Sequence, residues 1–482
     1  MENTPPKARA IEKPSEAICV TPQGDEVRGV VQRVTRHSAL IEFYNPELVF
    51  RASEVLNPCR LFLHERPVYE GRAVVTGLQA TSTSVSLEVS LDPAGIPLVP
   101  PDPAAAAAGG WAREFGEFLQ AWQPNHIVRP EYKVVVADLV TFLADLRLWL
   151  ERATLALRGA PEADQPRLLG EAADGFARRA LPAFTTLFER CEAVTRRLAP
   201  DEVPAHRSFL RRQLHPLVLC SPFCHRTFFK PLGYAGDYEM VNMILRDPRE
   251  GGSLFAQVLN CWFLAQAPAE AHRNRIAYLE QKLAGETARI QAAGRPARVY
   301  NLGCGPADEI QRFMAAREFA DHATFTLADF SEETLARARA TLEQARQRAR
   351  RRTPLNFVRR SVNQLLKEAT LAAPVAPSAQ YDLVYCAGLT DYLVDPVCRR
   401  LIHLLHSWVA PGGLLIITNV DGSNPRIETM EYVLEWHLIY RSAPQLAALA
   451  PAGAHPDDVR VTSDVTGVNN YLEIRRPAEG AA

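Results

Sequence analysis

The chain has 482 residues, with 54 Lys and Arg against 55 Asp and Glu and a formal net charge of −1. That length calls for two or three domains, and 47% hydrophobic with 23% charged residues is enough to bury a core, which excludes global disorder. Near-neutrality removes any bulk attraction to nucleic acid or anionic lipid, so no nucleic-acid partner is expected.

The first 22 residues are polar, carry Pro5, Pro6 and Pro14, and read as a frayed tail rather than a signal peptide. No apolar run is long enough for a membrane span; the best, 134–157, is cut by Asp138, Asp145, Arg147 and Glu151. Nine cysteines without regular spacing suit free thiols in a reducing compartment, so a cytoplasmic location is expected. From Val27 the chain alternates in short β-rich runs at 27–34, 38–43, 61–63, 71–78 and 84–91. They are separated by turn residues such as Asn45-Pro46, Asn57-Pro58 and Glu70-Gly71, the pattern of a small all-β barrel or sandwich over 23–100. A Pro-rich and Ala-Gly tract up to Gly110 reads as a linker.

Helical periodicity follows in 111–122, 131–157, 168–188 and 208–219, a helical connector or cap over 111–220. From Arg298 strands and helices alternate: strands at 298–302, 324–328, 356–359, 381–386 and 413–420, with helices after Asp308 and over 332–352 and 397–409. That order predicts an α/β Rossmann-like domain with a mostly parallel sheet, within 221–482.

The chemistry concentrates in this last part. Val299-Tyr300-Asn301-Leu302-Gly303-Cys304-Gly305-Pro306-Ala307-Asp308 is an apolar strand entering a Gly-x-Gly-x-Ala turn that opens a helix. Glycine lets a ligand approach the backbone there, and the free N–H groups at a helix start suit an anion. The second strand ends at Asp329-Phe330, where a carboxylate can accept both hydroxyls of a ribose; beside Ser331, Glu332 and Glu333 it could equally be a helix-start charge. A strand ending before Ser361-Val362-Asn363, then 381–389 running into Thr390-Asp391-Tyr392, then Pro411-Gly412-Gly413, complete the order.

Over residues 295–420 this succession resembles the class I S-adenosylmethionine-dependent methyltransferases. A nicotinamide dehydrogenase is the competing reading of the glycine turn, but the third glycine is missing and the Pro-Gly-Gly strand has no place in it. The resemblance implies S-adenosylmethionine as cofactor, with Gly303, Cys304, Gly305 and Ala307 around its methionine and ribose part. It places Asp329 and Phe330 at the ribose, Ser361, Val362 and Asn363 at the adenine, and Cys386, Ala387, Gly388 and Leu389 on the floor beside the sulfonium. Asn301 stands where many family members have an acid, so contacts made through that carboxylate would come from elsewhere.

Ahead of the core, residues 226–243 form a dense aromatic, glycine and acid cluster in which Gly233 and Gly236 break the helix. An aromatic packing corner is the competing reading. The run Gly233-Tyr234-Ala235-Gly236-Asp237-Tyr238, and the late segment Glu435-Trp436-His437-Leu438-Ile439-Tyr440-Arg441, are similar to a bacterial group associated with biosynthesis of the methyl ester of 3-hydroxypalmitic acid. That resemblance implies Tyr234, Gly236 and Asp237 over the methionine end of the cofactor, with Asp237 accepting from its ammonium. Arg226, Tyr238 and Tyr440 would then face a small or lipid-like acceptor. A carboxylate acceptor needs alignment and desolvation rather than a base. For an amine or hydroxyl acceptor the candidates for proton removal are His437 and Asp391, with Tyr392 beside them; a packed histidine or core tyrosine is the bland alternative.

Cys220, Cys224 and His225 are close, but no second ligand pair follows at zinc spacing, so no metal is expected. The arginines from 346 to 352 end a predicted helix and complement its dipole. The N-terminal barrel, with Arg28, Arg33 and Arg36, resembles PilZ domains but lacks their second motif at 87–92; it is degenerate, and cyclic di-GMP is not expected to bind. The leading reading is therefore a methyltransferase acting on the carboxylate of a 3-hydroxy fatty acid or similar acceptor. Its rivals are methylation of an amine or hydroxyl in a secondary metabolite, and a non-catalytic signalling or scaffold protein that keeps the cofactor site. A homodimer stays open.

Overall fold

The computed structural model describes residues 15–63, 66–95, 128–371 and 380–478, with scattered positions between 112 and 119. The expected linker and the helix expected over 111–122 lie outside the described residues. The chain divides into two compact units, the first comprising residues 1–48 and 54–127, and the second Val49–Ser53 with Val128–Ala482.

The first unit is a closed six-stranded barrel in the order β1-β2-β3-β6-β5-β4. Its strands are β1 (Glu16–Val20), β2 (Glu26–Val34), β3 (Ser38–Phe43), β4 (Val55–Leu63), β5 (Arg66–Ala80) and β6 (Val85–Leu91). Alternation carries it: Val85, Leu87, Val89 and Leu91 point inward while the residues between them are half-exposed, the period of two that one buried sheet face demands. Three expectations are corrected here, the first being Glu70-Gly71, which is no turn but lies inside β5 and pairs with Arg60 and Cys59 of β4. The N-terminal stretch expected to be a tail contains β1, which pairs with both β2 and β4 and closes the barrel. Asn57-Pro58 is no turn but sits inside β4, where the register shifts between Leu56 and Cys59; a bulge absorbs the proline that a regular ladder would reject.

The second unit begins with a helical bundle: α1 (Pro130–Leu157), α2 (Gln165–Thr195), α3 (Val203–Val218), α4 (Pro222–Phe229), α5 (Tyr238–Leu245), α6 (Leu254–Leu264) and α7 (Ala267–Ala292). Its core is apolar at helical spacing, with Leu139, Leu143 and Leu150 of α1 fully buried and Trp262 of α6 stacked on Phe188 of α2 at 4.2 Å between ring centroids. Burying such a side chain contributes about 1.5–3 kcal/mol. Pro130 sits in the first turn of α1 and Pro222 in that of α4, where the missing N–H costs nothing.

Beyond α7 the chain forms β7 (Ala297–Leu302), α8 (Asp308–Ala316), β8 (Ala323–Asp329), α9 (Glu332–Arg348), β9 (Leu355–Arg359), α10 (Val362–Leu371), β10 (Tyr381–Ala387), α11 (Asp395–Ser407), β11 (Val409–Val420), the short α12 (Ala443–Ala447), β12 (Val459–Ser463) and β13 (Asn469–Arg475). The seven strands lie in the order β12-β13-β11-β10-β7-β8-β9. Those from β11 to β9 are parallel, whereas β13 is antiparallel to β11 and β12 to β13. The C-terminal extension thus supplies two strands that the sequence pattern does not reveal. Pro411-Gly412-Gly413 lies within β11 rather than ahead of it.

Both sheet faces are covered, as a parallel sheet requires. Val299, Leu383, Tyr385, Leu414 and Ile416 face α7, α8 and α9. The alternate residues Tyr300, Leu302, Val384, Cys386, Leu415 and Ile417 face α10 and α11. The strand order reverses between β7 and β10, and in open α/β sheets a ligand binds beyond the carboxyl ends of the strands at such a point. Among the described residues no helix is long and apolar enough to cross a membrane.

Candidate active site

The glycine turn leaves β7 at that reversal. Gly303 and Gly305 have φ of 68° and 52°, the left-handed region where a side chain is strained. The N–H groups of Gly303 and Cys304 donate to the Ala328 carbonyl at 2.8 and 3.2 Å, which ties the turn to the end of β8. Ala307 takes the third position at φ 53°, with its methyl group buried in the core beneath α8. A side chain added at Gly305 would meet nothing within 4 Å, so the space above the turn is open to a ligand.

Asp329 ends β8 and is 6% exposed. Its carboxylate accepts from the Ser331 N–H at 3.0 Å and the Gly305 N–H at 3.4 Å. Burial pushes this carboxyl up, against the opposing backbone N–H groups and Arg51. Phe330 lies edge-on to Tyr234 at 5.0 Å, and the Tyr234 hydroxyl is 3.4 Å from Thr334 Oγ1. Residues 100 positions apart in sequence thus meet beside Asp329. At the proposed adenine side, Ser361 caps α10 through Gln364 and Val362 is buried in the core. Asn363 has a buried Oδ1 without a hydrogen-bond partner, as an acceptor awaiting a donor would. The open turn, the second-strand carboxylate and this orphaned amide oxygen fit S-adenosylmethionine.

Asn301 is buried on β7 and donates through Nδ2 to Glu309 Oε1 at 3.2 Å; the Tyr385 hydroxyl donates to the same oxygen at 2.8 Å. Burial pushes the Glu309 carboxyl up to about 7. A carboxylate therefore does stand at the first strand, supplied from α8 instead of from position 301. It is legible in the run Ala307-Asp308-Glu309 only as a helix-start acid.

The floor at the carboxyl end of β10 is built from Cys386, Ala387 and Gly388. Gly388 has φ 88° and donates to Thr418 Oγ1 at 3.0 Å. A Cβ there would lie 2.8 Å from Nη1 of Arg275, so glycine makes room for a guanidinium carried by α7. Arg275 is 9% exposed; its Nη2 lies 3.1 and 3.2 Å from the ring nitrogens of His272, and burial holds that imidazole well below its ordinary pKa. Among the described residues no carboxylate pairs with Arg275 at ion-pair distance. Nothing in the local sequence of α7 announces this residue.

Asp391 is buried, its carboxylate accepting from the Val420 N–H at 2.7 Å and its carbonyl from the Ile439 N–H at 2.6 Å; burial pushes the carboxyl up to about 6 against the pull of Arg275. The Tyr392 hydroxyl accepts from Trp436 Nε1 at 2.9 Å and lies 2.6 Å from where a Gly236 side chain would begin, which explains glycine there. His437 is buried; burial, then Arg207, lower its imidazole to about 4. Its Nδ1 faces Glu431 at 3.6 Å, and its Nε2 has no hydrogen-bond partner. The Tyr440 hydroxyl is buried beside Glu431.

Three predicted residues are engaged elsewhere. Arg226 Nε donates to both oxygens of Asp237 at 2.9 and 3.1 Å, so the residues expected to meet a substrate carboxylate and the cofactor ammonium satisfy each other. Asp237 also caps α5 through the Met240 N–H. Tyr238 donates to Glu333 at 2.9 Å. Besides Arg275 and Glu309, sequence reasoning misses Arg51. Its guanidinium lies over the Phe330 ring at 4.3 Å and the Tyr234 ring at 5.3 Å, beside Asp329.

The family model described as a methyltransferase domain matches residues 300–415. A search of curated proteins finds no match. Among solved structures, the chain is similar to a possible exported protein from Bordetella parapertussis, at 16% identity and a TM-score of 0.41 over 66% of this chain and 100% of that one. It is also similar to magnesium protoporphyrin IX methyltransferase from Synechocystis (14%, TM-score 0.30, 44% and 88%) and to the N-methyltransferase NodS from Bradyrhizobium japonicum (15%, TM-score 0.29, 50% and 98%). The matched span holds the glycine turn, Asp329 and the floor of β10: residues 300–415 are a methyltransferase domain, and the chain is an S-adenosylmethionine-dependent enzyme.

Proposed function

We propose that the enzyme methylates a carboxylate, that of a 3-hydroxy fatty acid or a similar small acceptor. The observation that carries the reading is Arg275: a guanidinium at the floor of the site, buried, without a carboxylate partner among the described residues. A buried cation is costly unless paired, and a planar guanidinium matches a carboxylate in two parallel hydrogen bonds. The nearby acids do not take that place, because Asp391 is held by the Val420 N–H and Glu309 by Asn301 and Tyr385. The meeting of two distant sequence runs also supports it, since Gly236 and Trp436 both abut Tyr392.

When bound, S-adenosylmethionine supplies a methyl group on a sulfonium that leaves as a neutral thioether while the acceptor oxygen takes the methyl. The chain's own part is positional. Asp329 and the 303–305 turn fix the nucleoside, and Arg275 orients the acceptor. Cys386, Ala387 and Leu389 keep water from the reacting oxygen, which strengthens alignment effects. An ionised carboxylate gives up no proton, so no base is required.

The test is incubation with 3-hydroxypalmitate and methyl donor, with methyl ester read by mass spectrometry. Product is expected, at a rate flat from about pH 6 to 9 because the acceptor is ionised throughout. A rate climbing with pH would favour the second reading, methylation of an amine or hydroxyl. The observation in its favour is His437, whose Nδ1 faces Glu431 while Nε2 stands bare, the disposition of a general base. For the barrel we infer a degenerate PilZ-like interaction module. Arg28, in the segment where PilZ domains engage cyclic di-GMP, is paired with Glu26 and Glu16; equilibrium dialysis with cyclic di-GMP should show no retention.

A further inference from the structure

The nine cysteines are all free thiols, and two of them face each other inside the barrel. Cys19 of β1 and Cys59 of β4 are directly opposed in the antiparallel register, and the Cys19 thiol donates to the Cys59 sulfur at 3.4 Å although the two lie 40 residues apart in sequence. Both are fully buried. Two different devices bring them together. In β1, alternation turns Ala17 and Cys19 inward. In β4, strict alternation from Leu56 would turn Pro58 inward instead; the register shift against β5 between Leu56 and Cys59 gives the inner face to Cys59 and Leu61, as an extra residue in a bulged strand does.

The placement suits a covalent bond. Directly opposed residues of an antiparallel pair have Cα atoms about 4.5–5.5 Å apart, inside the roughly 4.4–6.8 Å that a disulfide spans, so the sulfurs can join without shearing the strands. The seam they cross is also the weaker of two. In the order β1-β2-β3-β6-β5-β4, hairpins tie every neighbouring pair except β3–β6 and β1–β4. The first of these runs along all of Ser38–Phe43, the second only from Glu16 to Cys19 on β1. While the barrel is closed the pair is held unreactive, because the hydrogen bond to Cys59 and then burial push the Cys19 thiol well above its ordinary value and the thiolate is the nucleophile. A five-residue strand such as β1 opens locally far more often than the barrel unfolds, and opening restores an ordinary thiol.

We propose that Cys19 and Cys59 are a redox latch on the barrel, converted by a low-molecular-weight disulfide into a cross-strand disulfide that pins the β1–β4 seam. The step balances as thiol–disulfide exchange. With β1 open, one cysteine thiolate attacks a sulfur of the reagent, forming a mixed disulfide and expelling one reagent thiolate; the other cysteine thiolate attacks the protein sulfur of that mixed disulfide and expels the second. The two protein thiols give up two protons and two electrons, and the reagent leaves as two thiols. The latch is independent of the methyl acceptor.

The experiment incubates the full chain with glutathione disulfide, quenches in acid, alkylates the remaining thiols in denaturant and maps the peptides by mass spectrometry. The expected result is a peptide pair joined through Cys19 and Cys59, lighter by two hydrogens and parted by a reductant. Amide hydrogen exchange of β1 should slow about tenfold or more in the oxidised protein. Cys59→Ser should lose both effects, and Cys19→Ser takes its place should that variant fail to fold, judged by circular dichroism. Cys19 and Cys59 both alkylated after prolonged oxidation, or either one joined to another cysteine or left as a mixed disulfide with glutathione, overturns the latch. So does a joined pair that forms only in urea-unfolded protein, or one whose β1 exchanges as fast as in the reduced chain.

Discussion

The two halves of the active site are put together in different ways. The half proposed to hold the nucleoside is local: a turn of three residues, one carboxylate at the end of the neighbouring strand, and the hydrogen bonds from Gly303 and Cys304 to Ala328 that join them. The half proposed to hold the acceptor is collected from far apart, with Arg275 from α7, Gly388 from the turn after β10 and His437 from beyond β11. Backbone geometry makes the first half and packed side chains make the second. A substitution in the first should therefore abolish binding of the cofactor, and one in the second should change which acceptor is used.

The sharpest break in that comparison is Asp329→Ala. It removes the proposed acceptor for two ribose hydroxyls and also the bonds to the Ser331 and Gly305 N–H groups. At about 1.5–3 kcal/mol per hydrogen bond to a charged group, the expected loss of S-adenosylhomocysteine affinity is at least a hundredfold by calorimetry. Retained affinity would mean that the ribose is held elsewhere.

Glu309 is held by Asn301 and Tyr385, and its effect is on stability. Its carboxyl is raised to about 7 by burial, so between the unfolded value near 4.5 and pH 7 the folded state binds more protons than the unfolded one. Stability must then fall as pH rises through that window, by about 3 kcal/mol in total, and stay reduced above it. Glu309→Gln never ionises. In denaturant melts it should exceed the wild type at pH 8 by about 2 kcal/mol, once about 1 kcal/mol is allowed for an amide N–H₂ without an acceptor, and the gap should close towards pH 5. A constant gap would show that the carboxyl is not raised.

Arg275→Gln tests the acceptor half. With the Arg275 guanidinium gone, kcat/KM for the acid should drop about 30-fold, or about 2 kcal/mol, while Kd for 5′-methylthioadenosine stays within twofold. If instead the affinity for S-adenosylhomocysteine falls by as much, Arg275 serves the cofactor's own carboxylate.

What can be read from the sequence follows the same division. The glycine turn, Asp329 and the strand-helix alternation are contiguous patterns whose physical reasons act over a few residues, so the parallel part of the sheet and the tight turn beside Asp329 are visible in the order of residues itself. Strand β1 is not, because a five-residue strand in a polar, proline-bearing stretch acquires its meaning only from β2 and β4 on either side. β13 is hidden for a similar reason: its residues are buried in succession rather than in alternation, and period-two patterning does not find such a strand. Arg226 and Asp237 each announce a charged group in need of a partner, but sequence does not say that the partner is the other. Arg275 is one arginine of an arginine-rich helix, and only the packing against Gly388 sets it apart.

Arg51 is the smallest effect and the most informative about where the nucleoside half ends. It sits in a five-residue segment, Val49–Ser53, that belongs to the second unit although the barrel strands β3 and β4 flank it in sequence. That segment is fastened by the Ala52 N–H donating to the Tyr392 carbonyl at 3.0 Å and by Ser53 Oγ donating to the His437 carbonyl at 3.0 Å. Those bonds hold Arg51 over Phe330 and Tyr234. A guanidinium over an aromatic face contributes about 0.5–2 kcal/mol, and here it also lies in the field of Asp329. Arg51→Ala should therefore weaken S-adenosylhomocysteine binding three- to tenfold at low salt, with Arg51→Lys intermediate because it keeps charge without the planar stack. Ionic strength separates the two contributions: if charge dominates, the difference between Arg51→Ala and wild type shrinks in about 0.5 M salt, and if stacking dominates it persists. An unchanged Kd in both variants would confine the nucleoside half to residues C-terminal of Val128.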